Sequence, residues 1–363
     1  MAGEDRTSAA AALPPRPPLA LSDLTADRLV TLGDEVVRAT WKHGLPHLFW
    51  GEGVCLLGMA QFAAAAGRGF PAAVHEWLAD RVERGIMLDH VNNVAPATAA
   101  VLDGTTRTEP LVSTALDWIA AGRGLTRDAD GTIEHWPGGV WADTVFMAGV
   151  FLGRAGEARS DRGLVDECGR QLLAHARALQ DPATGLFIHG TYRGEAIRCF
   201  WGRANAWTAL ATVEYLEICD RRPELADPEL ATDLAAVLRR QLAALVAHQP
   251  DHGVWSVLVD DQVENAGILE TSAAAGIGAA MIRAAAVLQD LPEAVRLAGW
   301  KAVAGSLAYL EGGTLTRVSA GTVLQLVPFG YSVIRDDRPQ LWGQGLALHA
   351  IATALTNSSG RPD

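Results

Sequence analysis

The stretch from Glu270 to Gln289, ETSAAAGIGAAMIRAAAVLQ, is small and apolar on every side of the helix that it predicts. Its only charged residues are Glu270 and Arg283. Alanine favours helices, and a helix with no polar face is one that is buried all round. The segment 229–249, ELATDLAAVLRRQLAALVAHQ, differs because its leucines share one stripe and its charges lie opposite. The two patterns therefore predict two kinds of helix, one at the centre of the fold and one at its periphery.

Similar polar or glycine-rich phrases introduce six apolar helices along the chain. The gaps between them leave room each time for an inner helix, a return and an outer helix, and almost no stretch has the alternation of a strand. We predict an all-α fold, a single-domain (α/α)6 toroid with the phrases at one rim. An open solenoid is the alternative, which the irregular gaps disfavour. The phrases are FWGEGV at Trp50, LDHVNN at Asp89, VWADTV at Trp141, FWGRANAW at Trp201, LETSAAAG at Glu270 and LWGQGLA at Trp342.

The bulk composition excludes several classes of protein. With 363 residues, 49% of them hydrophobic, the chain can bury a large core and is not intrinsically disordered. A net charge of −12 with no run of basic residues argues against nucleic acid and membrane surfaces as partners. The cysteines are far apart and are interpreted as reduced packing residues rather than metal ligands. They are Cys55, Cys168, Cys199 and Cys219.

The two ends of the chain differ from the rest in composition. We expect a flexible leader over residues 1–22, a catalytic domain over 23–357 and a flexible tail over 358–363. The leader has acidic residues and a proline cluster where a signal peptide has a basic start and an unbroken apolar core. No apolar segment is long enough to span a membrane. A cytoplasmic protein is therefore predicted, with its oligomeric state left open.

Four of the six phrases contain tryptophan and four contain a single carboxylate, a combination that suits a sugar site. Indole faces cover the apolar faces of sugar rings while fixed polar groups meet the hydroxyls. Core packing is the alternative for each tryptophan, but four of them directly precede a predicted buried helix. These four are Trp50, Trp141, Trp201 and Trp342. Residues of the same phrases complete the candidate substrate-binding set: Asn92, Trp207, Thr271 and Ser272.

Asp143 and Asp89 stand at the starts of neighbouring predicted helices. Glycoside-bond chemistry commonly needs one carboxyl group that donates a proton and one that accepts it. A carboxylate in a first helical turn also stabilises the helix by itself, so a purely structural role is the alternative. That alternative is stronger for the other two candidates, Glu52 and Glu270.

His189 in GLFIHGTYRG and Arg203 in FWGRANAW are candidates for binding an acidic sugar. Arg203 lies among apolar residues at the start of a predicted buried helix, so its charge requires a partner. The partner is either a protein carboxylate or the carboxylate of a uronic acid held by the guanidinium group.

Taken in order, these phrases resemble the unsaturated rhamnogalacturonyl and glucuronyl hydrolases, glycoside hydrolase family 105 with its sister family 88. The resemblance runs from WGEGVCLLGMAQF to LWGQGLALHAIA and covers nearly everything after the leader. It implies that Asp143 is the catalytic acid/base and Asp89 the second aspartate. It also implies that His189, Trp201 and Arg203 contact the substrate.

The resemblance further implies removal of a 4,5-unsaturated uronic acid from the non-reducing end of a small anionic oligosaccharide made by a lyase. A protonated Asp143, kept so with the help of Asp89, would donate to C4 of the vinyl ether, and a water would add at C5. No metal or organic cofactor is implied. Many members have an acid where this chain has Thr144. The sugar beyond the cleaved bond is not indicated.

Two other functions fit a helical toroid. A sugar 2-epimerase would use histidine bases at the rim, with His90, His189 and His349 as candidates. A noncatalytic scaffold would expose a large apolar patch and would need no reactive carboxylate.

Overall fold

The computed structural model describes residues 14–122, 124–260, 262–265 and 267–362, which are mainly helical. The α-helices are α1 (Ala26–His43), α2 (Trp50–Ala65), α3 (Ala72–Glu83), α4 (Ala95–Asp103), α5 (Glu109–Ala121), α6 (Val150–Arg159), α7 (Arg162–Leu179), α8 (Gly202–Arg221), α9 (Pro228–Ala247), α10 (Thr271–Val287), α11 (Glu293–Leu307), α12 (Pro328–Ser332) and α13 (Leu341–Thr356). Two antiparallel hairpins pair β1 (Gly190–Tyr192) with β2 (Glu195–Ile197) and β3 (Leu310–Glu311) with β4 (Thr314–Leu315).

Six helices form a closed inner ring: α2, α4, α6, α8, α10 and α13. Each packs against the next one along the chain, and α13 packs against α2, which closes the ring. The outer helices α1, α3, α5, α7, α9 and α11 each pack against an inner helix. The predicted (α/α)6 toroid is confirmed, since the contact between the last and the first inner helix is one that an open solenoid lacks.

The two kinds of helix follow from their residues. In α10 every residue from Thr271 to Ile282 is buried, as its all-round apolar surface requires. Glycine allows the helices to approach closely, because a Cβ added at Gly278 would lie 2.9 Å from the carbonyl oxygen of Gly299 in α11. In α9, by contrast, the leucine stripe is buried and the charged side is exposed.

The starts of the inner helices meet at one end of the ring. Trp50 of α2 stacks on Trp342 of α13 with 4.3 Å between ring centroids. Arg203 of α8 contacts Trp342 and pairs with Glu270, the residue before α10. The six phrases therefore gather at one rim, as the sequence predicts.

Both ends of the chain contact the helical body. Within the predicted leader, residues 1–13 lie outside the described residues, but the main chain of Leu19 donates to the carbonyl of Ala304 in α11 at 3.2 Å. In the predicted tail, Arg361 bonds to the carbonyl of Leu24. Leu19 and Arg361 lie outside the predicted bounds of 23–357, and those bounds stay a prediction.

The four cysteines are free thiols, and all but the half-buried Cys219 are buried, which confirms their packing role. Among the described residues no helix has both the length and the apolar character needed to cross a membrane.

Candidate active site

Asp143 is positioned by a tight turn and a short strand contact. Gly138, with φ of 82°, allows the turn that leads into the helix. The next residues pair with the segment before β1, where the main chain of Ala142 donates to the carbonyl of His189 at 2.9 Å. A π-helical turn, Val145–Gly149, then leads into α6. Such turns recur at functional sites because they redirect side chains at a helix start.

Asp143, His189 and Tyr331 form a buried chain of contacts. Oδ2 of Asp143 lies 3.2 Å from Nε2 of His189, and the Asp143 side chain is 14% exposed. On the other side of the ring, Nδ1 of His189 lies 2.6 Å from the hydroxyl of Tyr331. That hydroxyl oxygen accepts the main-chain N–H of Gln325 at 3.4 Å. Because the Asp143 carboxylate opposite Nε2 is an acceptor, the assignment that pairs every group places the histidine proton on Nε2 and leaves Nδ1 to accept the proton of the Tyr331 hydroxyl.

This arrangement corrects one expectation about Asp143. Burial by itself raises the pKa of the Asp143 carboxyl, but the adjacent His189 and the charge of Arg203 outweigh it and hold that pKa below its usual value. The protein alone therefore favours the carboxylate near neutral pH, whereas the sequence argument expected a protonated group. The reason is that Asp143 faces nitrogen donors and cations rather than a second carboxylate.

A second cluster surrounds His135, which lies in the turn before Asp143. Its ring stacks on Trp141 with 4.7 Å between centroids, and its Nδ1 lies 3.1 Å from the hydroxyl of Thr144. Its Nε2 is 3.4 Å from the side-chain nitrogen of Asn92. Burial lowers the pKa of His135 to about 3, so the ring is neutral at physiological pH.

Arg203 is fully buried, and protein atoms bind its guanidinium group. Nη1 lies 3.1 Å from Oε2 of Glu270 and donates to the carbonyl and hydroxyl oxygens of Ser319, each at 3.0 Å. Nη2 donates to the carbonyl of Ala320, also at 3.0 Å, while Nε has no partner among the described residues. Of the two partners that the sequence allowed, the structure provides the protein carboxylate.

Rings form a continuous wall around this rim. The centroid of Trp201 lies 4.4 Å from that of His189, and the Arg203 guanidinium carbon lies 4.3 Å from the Trp201 ring. Trp50, stacked on Trp342, has its edge against the fully buried Trp207 at 6.5 Å. Since Trp50 and Trp342 are only half-buried, they are the members of this group that a ligand can reach.

Several predicted residues lie at the margin of the site. Asp89 is exposed at the rim, where its N–H donates to the side chain of Asn93 at 3.3 Å. Thr271 and Ser272 are fully buried, and their hydroxyls bond to the carbonyl of Thr316 and to the carboxylate of Glu270. Both hydroxyls therefore form hydrogen bonds within the protein interior.

Two residues of the site were not selected from the sequence. His135 lies inside the phrase EHWPGG, and its position eight residues before Asp143 was the available signal. Tyr331 belongs to a segment, VPFGYSVIRDD, with no recognisable motif. Nothing local indicates that its hydroxyl reaches His189.

Comparison with known proteins adds independent evidence. Residues 26–357 match the family model described as Glycosyl Hydrolase Family 88. The chain belongs to glycosyl hydrolase family 88. It is a glycosidase, and the resemblance seen in its phrases is confirmed.

Individual relatives are similar to this protein over nearly the whole chain. The chain is similar to the unsaturated rhamnogalacturonyl hydrolase YesR of Bacillus subtilis, with 29% identity over 91% of this chain and 95% of the relative. A structure from Salmonella enterica, described as a possible member of the GH105 family, has a TM-score of 0.81 at 25% identity, covering 92% of this chain and 95% of the other. A structure from Klebsiella pneumoniae with the same description has a TM-score of 0.79 at 25% identity, covering 94% and 95%.

Proposed function

We propose that this glycosidase removes a 4,5-unsaturated uronic acid from the non-reducing end of a small acidic oligosaccharide. The observation that carries the proposal is the buried chain of Asp143, His189 and Tyr331 at a rim lined with tryptophans. Family membership and the similarity to a relative named as an unsaturated rhamnogalacturonyl hydrolase support the same reaction.

Asp143 is the proposed proton donor. The uronate of the substrate brings a negative charge next to it, and a like charge raises the pKa of a carboxyl group. Asp143 then takes up a proton from solvent and transfers it to C4, while the C4=C5 electron pair forms the new C–H bond and leaves an oxocarbenium-like centre at C5. Water adds to C5 and loses a proton to the Asp143 carboxylate. The resulting hemiketal opens to a ketone at C5 and leaves a hemiacetal at C1, which breaks down to an aldehyde and releases the rest of the chain with a free hydroxyl.

The neighbouring side chains divide the remaining tasks. In this proposal the half-buried Trp50 and Trp342 confine the sugar ring beside Trp141, and the exposed Asp89 binds hydroxyls at the rim. Arg203 contributes positive charge and fixes the tryptophan wall while it stays paired with Glu270. The positive charge of Arg203 attracts a bound uronate without a direct hydrogen bond between the two groups.

The test is the loss of the ultraviolet absorbance of the C4=C5 bond in lyase-made disaccharides. We expect the wild type to consume the band and Asp143→Asn to be slower by about 10²-fold to 10⁴-fold, the usual contribution of a general acid. Asp117→Asn is the matched control, because Asp117 is exposed on the outer helix α5. A wild-type enzyme that leaves the band unchanged on a broad panel of substrates would contradict the proposal. The cytoplasmic location stays a prediction.

A further inference from the structure

A cavity of about 540 Å³ lies directly beside the proposed site and shares Trp141 with it. Its walls come from three segments: the turn at 136–139, the hairpin residues 191–193 and the segment 323–326. The volume falls within the usual range of roughly 300–1,000 Å³ for ligand pockets. None of its lining residues belongs to the chain formed by Asp143, His189 and Tyr331. The cavity is therefore a neighbour of the reacting centre and not the centre itself.

Large apolar side chains surround this cavity and are exposed. The exposed fractions are 50% for Trp136, 48% for Tyr192, 61% for Val323 and 56% for Leu326. Single exposed apolar residues are ordinary, but a group around one concave opening marks a binding surface. Two aromatic rings and aliphatic side chains around one opening suit a sugar ring that presents an apolar face.

Arg193 is the one cationic side chain among the residues that line the cavity. Its guanidinium carbon lies 5.3 Å from the centroid of the Tyr192 ring, and it forms no ion pair within the described part of the chain. Its backbone has φ of 51° and donates to the carbonyl of Gly138 at 2.9 Å. Arg193 and Gly194 form the two-residue turn between β1 and β2, which requires positive φ at both positions and fixes the main chain of Arg193 at the edge of the cavity.

We propose that this cavity binds the leaving saccharide, the part of the substrate beyond the cleaved bond, and that it selects an acidic saccharide with an apolar ring face. The ring lies against Trp136 and Tyr192, its apolar substituents meet Val323 and Leu326, and its acidic group pairs with Arg193. The inference rests on the proposed function, because the cavity adjoins the site at Trp141.

Arg193→Gln tests the charge, with Arg170→Gln as the matched control, since Arg170 is an exposed arginine of α7. Two unsaturated oligosaccharides are compared, one with an acidic and one with a neutral leaving saccharide, together with the methyl glycoside of the unsaturated uronic acid. We expect Arg193→Gln to lower the ratio of kcat/KM for the acidic over the methyl substrate by about tenfold, as loss of a charge-assisted hydrogen bond does. An unchanged ratio, or an equal change in Arg170→Gln, would overturn the proposal.

Leu326→Asn tests the apolar wall. We expect KM to rise severalfold for both oligosaccharides, with a smaller rise for the methyl substrate. Size-exclusion chromatography of the wild type and the variant checks the other occupant of an apolar surface, a second copy of this chain. A wild-type dimer that Leu326→Asn converts to monomer without any change in KM would overturn the proposal.

The assays distinguish failure of the proposed function from failure of the proposed role of the cavity. If the wild type consumes no unsaturated substrate at all, the proposed function is wrong. If it consumes the methyl substrate and both oligosaccharides with ratios that neither variant alters, the reaction stands and the assignment of this cavity is wrong.

Discussion

The hydroxyl of Tyr331 holds the proton of His189 on the side that faces Asp143, and Tyr331→Phe removes that hydroxyl alone. Without it, the histidine proton can also occupy Nδ1, which leaves Nε2 as an acceptor. A protonated Asp143 can then donate to Nε2, an arrangement that the wild type disfavours. The protonated form of Asp143 is stabilised relative to the carboxylate, so the pKa of Asp143 rises.

The size of this effect follows from the hydrogen bond that is lost. A buried neutral hydrogen bond such as the 2.6 Å contact between Tyr331 and His189 contributes about 0.5–1.5 kcal/mol. Since 1.36 kcal/mol corresponds to one pKa unit, the pKa of Asp143 rises by up to about one unit. Because Asp143 must carry a proton to act as the acid, the basic limb of the pH profile of kcat/KM moves to higher pH.

The assay is the pH dependence of kcat/KM on one unsaturated disaccharide, with ¹⁵N NMR of the histidine ring to report which nitrogen carries the proton. Tyr215→Phe is the matched control, because Tyr215 is also fully buried but lies in α8 away from the site. A purely structural role for Tyr331 would lower kcat without moving the limb. A basic limb that stays in place or moves to lower pH refutes the reasoning.

Two further predictions concern other buried groups. Thr144→Asp places a carboxylate beside Nδ1 of His135, so the pKa of His135 rises from about 3, and an NMR titration that finds it unchanged contradicts this. Glu270→Gln leaves the buried charge of Arg203 without a carboxylate, and we expect a loss of about 3–5 kcal/mol in the free energy of unfolding, measured by urea denaturation. A loss below about 1 kcal/mol would show that the main-chain carbonyls satisfy the guanidinium group by themselves.

The local sequence was sufficient for the architecture. Helix propensity and the distribution of apolar residues are properties of a short window, so the all-round apolar segment at Glu270 and the striped segment at Glu229 could be assigned to inner and outer helices. Six repeats of that pair predict a ring or an open solenoid, and the irregular gaps between them favour the ring. The position of Asp143 at a helix start, and hence at the rim, followed from the same local signals.

The tertiary structure alone decided how the site is charged. Glu270 meets Arg203 across 67 positions of the chain, and Tyr331 meets His189 across 142. Neither contact has a signal in the intervening sequence, because it depends on how the ring closes and on where the segment before α13 returns. The protonation of Asp143 depends on these same neighbours. The charges and hydrogen-bond donors within a few ångströms set the pKa of a carboxyl group. Only the folded ring brings these groups next to Asp143.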